Sequence, residues 1–326
     1  GDMKCWGDDQ FGQLGDGGTN TDLHTPSTTA IDLGTGRTAV AVSAGYFHTC
    51  AILDNGDMKC WGQDSKGQLG DGGTSHSSST YTTSPSTTPI DLGTGRTAVA
   101  LSTGSDHTCA ILDNGDLKCW GSDNNGQLGD GGTISPSAYT TAPSSTAIDL
   151  GTGRTAVAVS ASNSHTCAIL DNGEAKCWGD DQSGQLGIPG TAPQSSPPST
   201  AIDLGTGRTA GAISAGYLHA CAILDNGEAK CWGRDNQGQL GDGGTKTDQP
   251  VPVLVSGSNT WDSSIGLSSP ITNVTGATCT VSPSLPTGLN IDSSTCTISG
   301  TPTVETSNTT YTVTANISNV TYQGSV

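Results

Sequence analysis

A Cys-Trp-Gly triplet returns five times in this chain, at Cys5, Cys60, Cys119, Cys177 and Cys231, in steps of 55, 59, 58 and 54 residues. A period of that length is one supersecondary unit that cannot bury its own apolar face and must stack on its neighbours. Within a period the residue order is nearly constant, and the copy around Cys60 reads as four strands. Thr38 to Ala44 alternates Val with small residues, as suits an inner strand near a crowded axis. Gly45 begins a turn, and His48 to Leu53 forms the second strand. Asp54-Asn55-Gly56 is a hairpin signal, because Asn and Gly accept the positive φ such a turn needs. Asp57 to Trp61 is the third strand, and a loop of Gly, Gln, Leu and Asp leads to an outer strand near Pro89 to Leu92. Four antiparallel strands repeated about an axis make a propeller blade. The pattern predicts an all-β fold with four complete blades from Arg37 to Val255. They are preceded by a half blade, Asp2 to Leu33, with only its third and outer strands. An open arc is expected.

The cysteines follow from the same register. A three-residue turn at Asp54–Gly56 sets Leu53 opposite Asp57 and Cys50 opposite Cys60. It likewise pairs Cys109 with Cys119, Cys167 with Cys177 and Cys221 with Cys231. Directly opposed cysteines on neighbouring strands lie within disulfide reach. Of the 11 cysteines, the odd one is Cys5, whose partner is expected ten positions earlier, ahead of Gly1. Closing so small a loop stabilises by roughly 2–3 kcal/mol. That supplement matters here, because hydrophobic residues are only 32% and aromatic ones 4% of the chain. Disulfides of this kind imply an oxidising compartment, extracellular or on the cell surface.

The net charge of −18 argues against nucleic acid as a partner, since phosphate binding needs a basic stripe. No run reaches the ~18 apolar residues of a membrane span, so no membrane insertion is expected.

The residues Ser43-Ala44-Gly45-x-x-His48-Thr49-x-Ala51-x-x-x-Asn55-Gly56, then Trp61-Gly62 and Gly67-Gln68-Leu69-Gly70, recur across positions 1 to 255. This pattern resembles the regulator of chromosome condensation repeat family. The resemblance implies seven-bladed β-propellers and a binding or regulatory role. Members include a nucleotide exchange factor for a small nuclear GTPase, a plant ultraviolet-B receptor and a secreted bacterial β-lactamase inhibitor. The paired cysteines and the acidity depart from the nuclear members and disfavour chromatin or a cytosolic GTPase.

Residues 256–326 contain no Lys or Arg and are rich in Ser, Thr and Asn. Leu285-Pro286-Thr287-Gly288-Leu289-x-Ile291-Asp292, Thr297-Ile298-Ser299-Gly300-Thr301-Pro302 and Tyr311-Thr312-Val313-Thr314 resemble immunoglobulin-like modules of microbial surface proteins. The resemblance implies a small β-sandwich acting as spacer or adhesive unit. The domains are thus 1–255 and 256–326. Cys279 and Cys296 are expected to form a fifth disulfide, and Asn273, Asn308, Asn316 and Asn319 open N-glycosylation sequons.

No pattern calls for a cofactor, metal or catalytic group. His48, Cys50 and Cys60 recur together, but their spacing is not that of a zinc site. The four repeated histidines, His48, His107, His165 and His219, read as packing residues with satisfied ring nitrogens. The five repeat tryptophans read as structural. Asp8, Asp9 and Asp16 do not follow an EF-hand loop, and Asp and Gly are what tight turns need. Gly34-Thr35-Gly36-Arg37 lacks the Lys-Ser/Thr end of a phosphate loop and reads as a turn in which Asp32 pairs with Arg37.

A residue common to every blade is architecture, so function is sought where the blades differ. The turn between inner and second strands holds Tyr46-Phe47, Ser105-Asp106, Asn163-Ser164 and Tyr217-Leu218 in the four copies. On a propeller these turns gather on one face, where aromatic residues make good anchors. The loops Ser75–Ser84 and Ile134–Ala142, with Tyr81 and Tyr139, are a second variable place; contact loops and O-glycosylated spacers are open there, and solvated connections are the reading taken. The function expected is a non-enzymatic binding or adhesion protein for a protein or glycan ligand. The alternative is a structural element of an envelope or stalk.

Overall fold

The computed structural model describes residues 2–18, 20–73, 80–257, 278–282, 284–285, 289–291, 298–300, 312–317 and 320–325. The chain divides into two compact units, Gly1–Ser256 and Gly257–Val326. Every regular element among the described residues is a strand.

The first unit holds three four-stranded sheets, a three-stranded one and a partial one. The first blade comprises β1 (Ala39–Ala44), β2 (His48–Leu53), β3 (Met58–Gln63) and β4 (Tyr81–Thr82), in that order. The second comprises β5 (Ala98–Thr103), β6 (His107–Leu112), β7 (Leu117–Ser122) and β8 (Tyr139–Thr140). The third has β9 (Ala156–Ala161), β10 (His165–Leu170) and β11 (Ala175–Gly179), with Gln194 bridging to Gly179 in place of a fourth strand. The fourth has β12 (Ala210–Ala215), β13 (His219–Leu224), β14 (Ala229–Gly233) and β15 (Gln249–Leu254). The half blade is a single bridge, Gly7 to Leu23, with the Ile31 amide donating to the Met3 carbonyl at 3.0 Å.

The hairpin register is the expected one. Cys50 faces Cys60, Cys109 faces Cys119, Cys167 faces Cys177 and Cys221 faces Cys231. All four pairs are disulfides with Cα atoms 4.0–4.1 Å apart, and Cys5 is free. Each inner strand carries a bulge near its start, at Ala39/Ala41, Ala98/Ala100, Ala156/Ala158 and Ala210/Ala212. The bulge turns Val40, Val99 and Val157 out to solvent on the inner edge.

The outer strand differs from expectation. It is Tyr81–Thr82, paired with Gln63 and Gly62, and the chain then leaves the ladder until the Ile90 amide reaches the Met58 carbonyl at 2.9 Å. Pro85 and Pro89 lie in the detour and cannot donate to a ladder. Only β15 is continuous, with Pro250 and Pro252 on alternate residues of an edge strand, where a missing N–H is tolerated. Residues Tyr81 and Tyr139, read as parts of solvated loops, thus begin fourth strands.

The core lies between blades. Strand side chains alternate between faces, and both faces of a middle blade are covered. Cys109, Ile111, Leu117 and Leu128 of the second blade pack against Ala156, Ala168, Leu170 and Trp178 of the third. Ala110 and Leu112 pack the other way, against Cys50, Ile52 and Met58. Each joint is keyed by one tryptophan. Trp61, Trp120, Trp178 and Trp232 are fully buried, and their indole N–H groups donate to the carbonyls of Gln13, Gln68, Gln127 and Gln185 in the preceding blade, at 3.0–3.2 Å. Trp6 breaks the pattern and is 59% exposed. At the other end Ile223 is 50% exposed, whereas Ile52, Ile111 and Ile169 are 2% exposed. The arc is therefore open at both ends.

Two further readings are corrected. Arg37 pairs with Asp54 at 3.3 Å, not with Asp32, because Asp32 accepts the Gly34 amide of its own turn at 2.9 Å. The same holds for Arg96 with Asp113, Arg154 with Asp171 and Arg208 with Asp225. The buried histidines are at most half satisfied. Nε2 of His48 and of His107 meets the hydroxyl of Thr108 or Thr166 at 2.9 Å, while Nδ1 of each has no partner among the described residues. His165 has none at either nitrogen, because Ala220 stands where Thr108 and Thr166 stand in the earlier joints. Burial holds His48 and His165 far below the usual imidazole range, to about 3, and His107 to about 4, so all three are neutral. Ala220→Thr is expected to supply the missing hydroxyl to His165 and to stabilise the propeller by about 1 kcal/mol. A denaturant midpoint that stays put or falls would count against this account of the joint.

The second unit pairs β16 (Thr278–Ser282), β19 (Thr312–Ile317) and β20 (Val320–Ser325) in one sheet and β17 (Leu289–Ile291) with β18 (Ile298–Gly300) in another. Cys279 lies on β16 and Asn316 on β19. Cys296, Asn273, Asn308 and Asn319 lie outside the described residues. Among the described residues, no helix is long and apolar enough to cross a membrane.

Candidate interaction site

Each blade ends its first hairpin in a short turn whose residues the strands cannot use. The Gly45, Gly104, Ser162 and Gly216 amides close these turns onto the carbonyls of His48, His107, His165 and His219 at 2.8–3.0 Å. The last turn residue, Phe47, Asp106, Ser164 or Leu218, accepts from the amide of Gln63, Ser122, Asp180 or Arg234 at 2.8 Å. The turn is thereby tied to the start of the loop that carries Gly-Gln-Leu-Gly. Turns and loops consequently share one end of each blade.

Neighbouring turns are also tied to each other. The Ser105 amide donates to the Ser162 carbonyl at 3.0 Å, and its hydroxyl donates to Asn163 Oδ1 at 2.9 Å. The Ser162 hydroxyl reaches the Gly216 carbonyl. Asp106, half-buried, lies within reach of Gln68 Nε2 at 3.5 Å. Burial pushes its carboxyl up, and the charge of Lys66 offsets part of that. The middle of the row, Ser105, Asp106, Asn163 and Ser164, is thus polar, and Ser105, Asp106 and Asn163 spend side-chain groups on contacts between blades.

The first blade is different. Tyr46 and Phe47 pack edge to face with centroids 4.4 Å apart, Phe47 meets Phe11 at 4.7 Å, and Phe11 meets Tyr81 at 6.4 Å. Four of the chain's eight Phe and Tyr residues form one patch. They come from the half-blade loop, the first turn and the fourth strand. Tyr46 remains 70% and Tyr81 42% exposed. Ring edges directed at ring faces fix the side chains at little entropic cost on binding.

Of the eight turn residues singled out from the sequence, the structure gathers Tyr46 and Phe47 into this patch. Tyr217 is also exposed, at 66%, but Tyr217 and Leu218 belong to the fourth blade and make no contact with the aromatic cluster. Phe11 and Tyr81 were not predicted as site residues. Phe11 carried a usable signal, because it is the one aromatic at a loop position held elsewhere by Lys66, Asn125, Ser183 and Gln237. Tyr81 carried only its place in a variable loop, since its neighbourhood depends on where the chain rejoins the blade. Among the described residues, no three His, Cys, Asp or Glu side chains converge as metal ligands would.

Comparison with known proteins gives two family matches. The regulator of chromosome condensation (RCC1) repeat matches residues 1–52, 55–111 and 114–169, and a second model of that repeat matches 39–68, 98–127, 156–185 and 212–239. The Putative Ig domain model matches residues 239–326. Ultraviolet-B receptor UVR8 of Arabidopsis thaliana is 32% identical over 221 residues, covering 67% of this chain and 46% of that protein. E3 ubiquitin-protein ligase HERC2 of Homo sapiens is 28% identical over 249 residues, covering 76% of this chain and 5% of that protein. The chain therefore spans less than half the length of these relatives. The crystal structure of human WBSCR16 superposes with a TM-score of 0.65 at 21% identity, covering 76% of this chain and 65% of that one. At that identity the likeness concerns the fold alone.

Proposed function

Because this chain belongs to the regulator of chromosome condensation (RCC1) repeat family, whose propeller fits the role of a protein-interaction scaffold, we propose that it is the binding part of a secreted or cell-surface protein and engages its partner through the aromatic patch. The observation that carries this reading is the meeting of Phe11, Tyr46, Phe47 and Tyr81 at one end of a row of turns whose middle is polar. Aromatic anchors surrounded by fixed polar groups are the usual make-up of a binding hot spot. The disulfides of all four blades support the oxidising compartment. The reading assigns binding, and no catalytic step, to the propeller. A protein ligand is favoured, and a glycan stacking on the same rings is the other class to be tried.

The test places a photo-crosslinking amino acid at Tyr46 and, as control, at Val157 on the inner edge. The protein is then illuminated on intact cells of the producing organism and beside an immobilised glycan panel. A discrete protein adduct from position 46, absent from position 157 and reduced at least tenfold by Phe47→Ala, is the expected result. Equal labelling from both positions, or labelling unaffected by Phe47→Ala, would remove the patch as the contact. Retention on glycans alone would replace the protein partner with a carbohydrate.

A further inference from the structure

The first and second blades each hold a cleft where the outer strand breaks off, and the two clefts are built alike. In the first blade the Leu53 amide donates to the Asp57 carbonyl and the Gln63 amide to the Phe47 carbonyl, both at 2.8 Å. Peptide groups alternate in direction along an antiparallel strand, so those of Met58, Cys60 and Gly62 face the outer strand. Gly62 pairs with Thr82 there, and the Met58 carbonyl accepts from the Ile90 amide. Between these two contacts the chain detours through Pro85 and Pro89. The amide and carbonyl of the buried Cys60 have no partner among the described residues. The second blade repeats this, with Gly121 on Thr140, Leu117 on Ile148 and Cys119 left between them. In the fourth blade the continuous β15 sets Val253 opposite the equivalent Cys231.

The cleft at Cys60 has a volume of about 300 Å³ and the one at Cys119 about 260 Å³, the small end of the range for ligand pockets. Lys59, Asp71, Ser86, Thr88 and Asp91 line the first, and Lys118, Asp130, Ser144, Thr146 and Asp149 the second. Lys59 and Lys118 are buried, and each donates to one carbonyl, that of Leu33 or Leu92, at 3.0 Å. An ammonium has three donors, and among the described residues no carboxylate pairs with either lysine. Oδ1 of Asp71, Asp91, Asp130 and Asp149 accepts from the glycine amide two residues on, at 2.7–2.9 Å, which leaves Oδ2 of each uncommitted. The third blade departs from this set: Ile188 stands for Asp71 and Pro198 for Ser86.

We propose that the clefts at Cys60 and Cys119 each bind one neutral pyranose at the end of a glycan, held through neighbouring hydroxyls. The Cys60 peptide groups ask for an acceptor and a donor side by side, and two adjacent hydroxyls supply both. Further hydroxyls accept from Lys59 and donate to Asp71 and Asp91, since each can do either. A peptide strand is excluded by the chain itself, because Thr82 and Ile90 already occupy the ladder on both sides of Cys60. One ammonium against two carboxylates disfavours an acidic sugar. Leu69 and Ile90 offer an apolar wall to the C–H face of a ring. The site shares no residue with the aromatic patch and stands independently of it.

The probes are the methyl glycosides of glucose, galactose and mannose, added singly to isotope-labelled protein while the backbone amides are followed by NMR. At least one is expected to move the Cys60 and Cys119 amides together and to leave those of Cys177 and Cys231 in place. Methyl glucuronoside, which adds a carboxylate to the same ring, should bind at least tenfold more weakly than its glucose counterpart. Asp71→Ile with Ser86→Pro, which copies the third blade, should abolish the response at Cys60 alone, and the surviving response at Cys119 reports that the variant is folded. Silence at Cys60 and Cys119 with all three sugars, equal binding of the glucuronoside, or an equal response at Cys177 would overturn the proposal. A peptide with the sequence Gln249 to Leu254 that moves Cys60 where the sugars do not would replace it with strand pairing.

Discussion

Refolding with the four hairpin disulfides reduced is expected to lower the propeller's stability by about 2–3 kcal/mol per bridge. Whole domains are stable by only about 5–15 kcal/mol, so the reduced chain should be largely unfolded at 37 °C. The expectation rests on how little else holds a blade. The joint between the third and fourth blades sets Ala175, Ala210, Ala220 and Ala222 among Ile169, Leu186, Ile202, Leu204 and Leu224, with Trp232 as its single large aromatic. Each bridge joins residues whose separation is 10, so it removes freedom from the unfolded chain where the folded one has few bulky contacts to offer. Cys50, Cys109 and Cys167 are fully buried, and reductant reaches them only after unfolding. The comparison is therefore of chains refolded with and without reductant, followed through tryptophan emission across a guanidinium series. Coincident midpoints would mean that packing alone carries the blades.

Trp120→Ala is expected to cost about 3–5 kcal/mol, the range for removing a large aromatic from a core. Its indole is fully buried at the joint between the first and second blades and donates to the Gln68 carbonyl at 3.2 Å. Thr108 donates to the same oxygen at 2.8 Å, so that carbonyl keeps one partner and the loss is mainly packing. Gly70 lies flat against the ring, with φ +74°, and a methyl group there would sit 2.4 Å from the indole nitrogen. Gly70→Ala should therefore destabilise both through its backbone and through the ring. In the double variant the steric part disappears, because the ring is gone. The two losses should fall short of adding by at least 1 kcal/mol, as expected of residues in contact. Strict additivity in urea unfolding would show that the glycine matters for its φ alone.

Strands β2 and β3, their register and the four disulfides were legible in the sequence because all of them are local. Asp54-Asn55-Gly56 sets the turn, side chains alternate with period 2, and Cys50 must then face Cys60. The repeat itself identified a propeller of RCC1-type blades and located Gln68, Gly70 and Trp120 as architecture, since a residue required at every joint is present in every copy. Composition and position in the repeat could not tell which carboxylate Arg37 would take. Asp32 is nearer in sequence, but its oxygen is spent on the Gly34 amide, and the end of β2 brings Asp54 alongside the start of β1. Nor could the sequence show that Ala220 strands the buried His165, because the two lie on different blades and meet only across a joint. The aromatic patch is the same case. Phe11, Phe47 and Tyr81 are far apart along the chain and belong to three segments whose proximity depends on how one blade stacks on the next and where its outer strand returns. Contacts within a hairpin are dictated by bond geometry over a few residues. Contacts between blades depend on the angle and spacing at which whole sheets pack, and only the tertiary structure decides that.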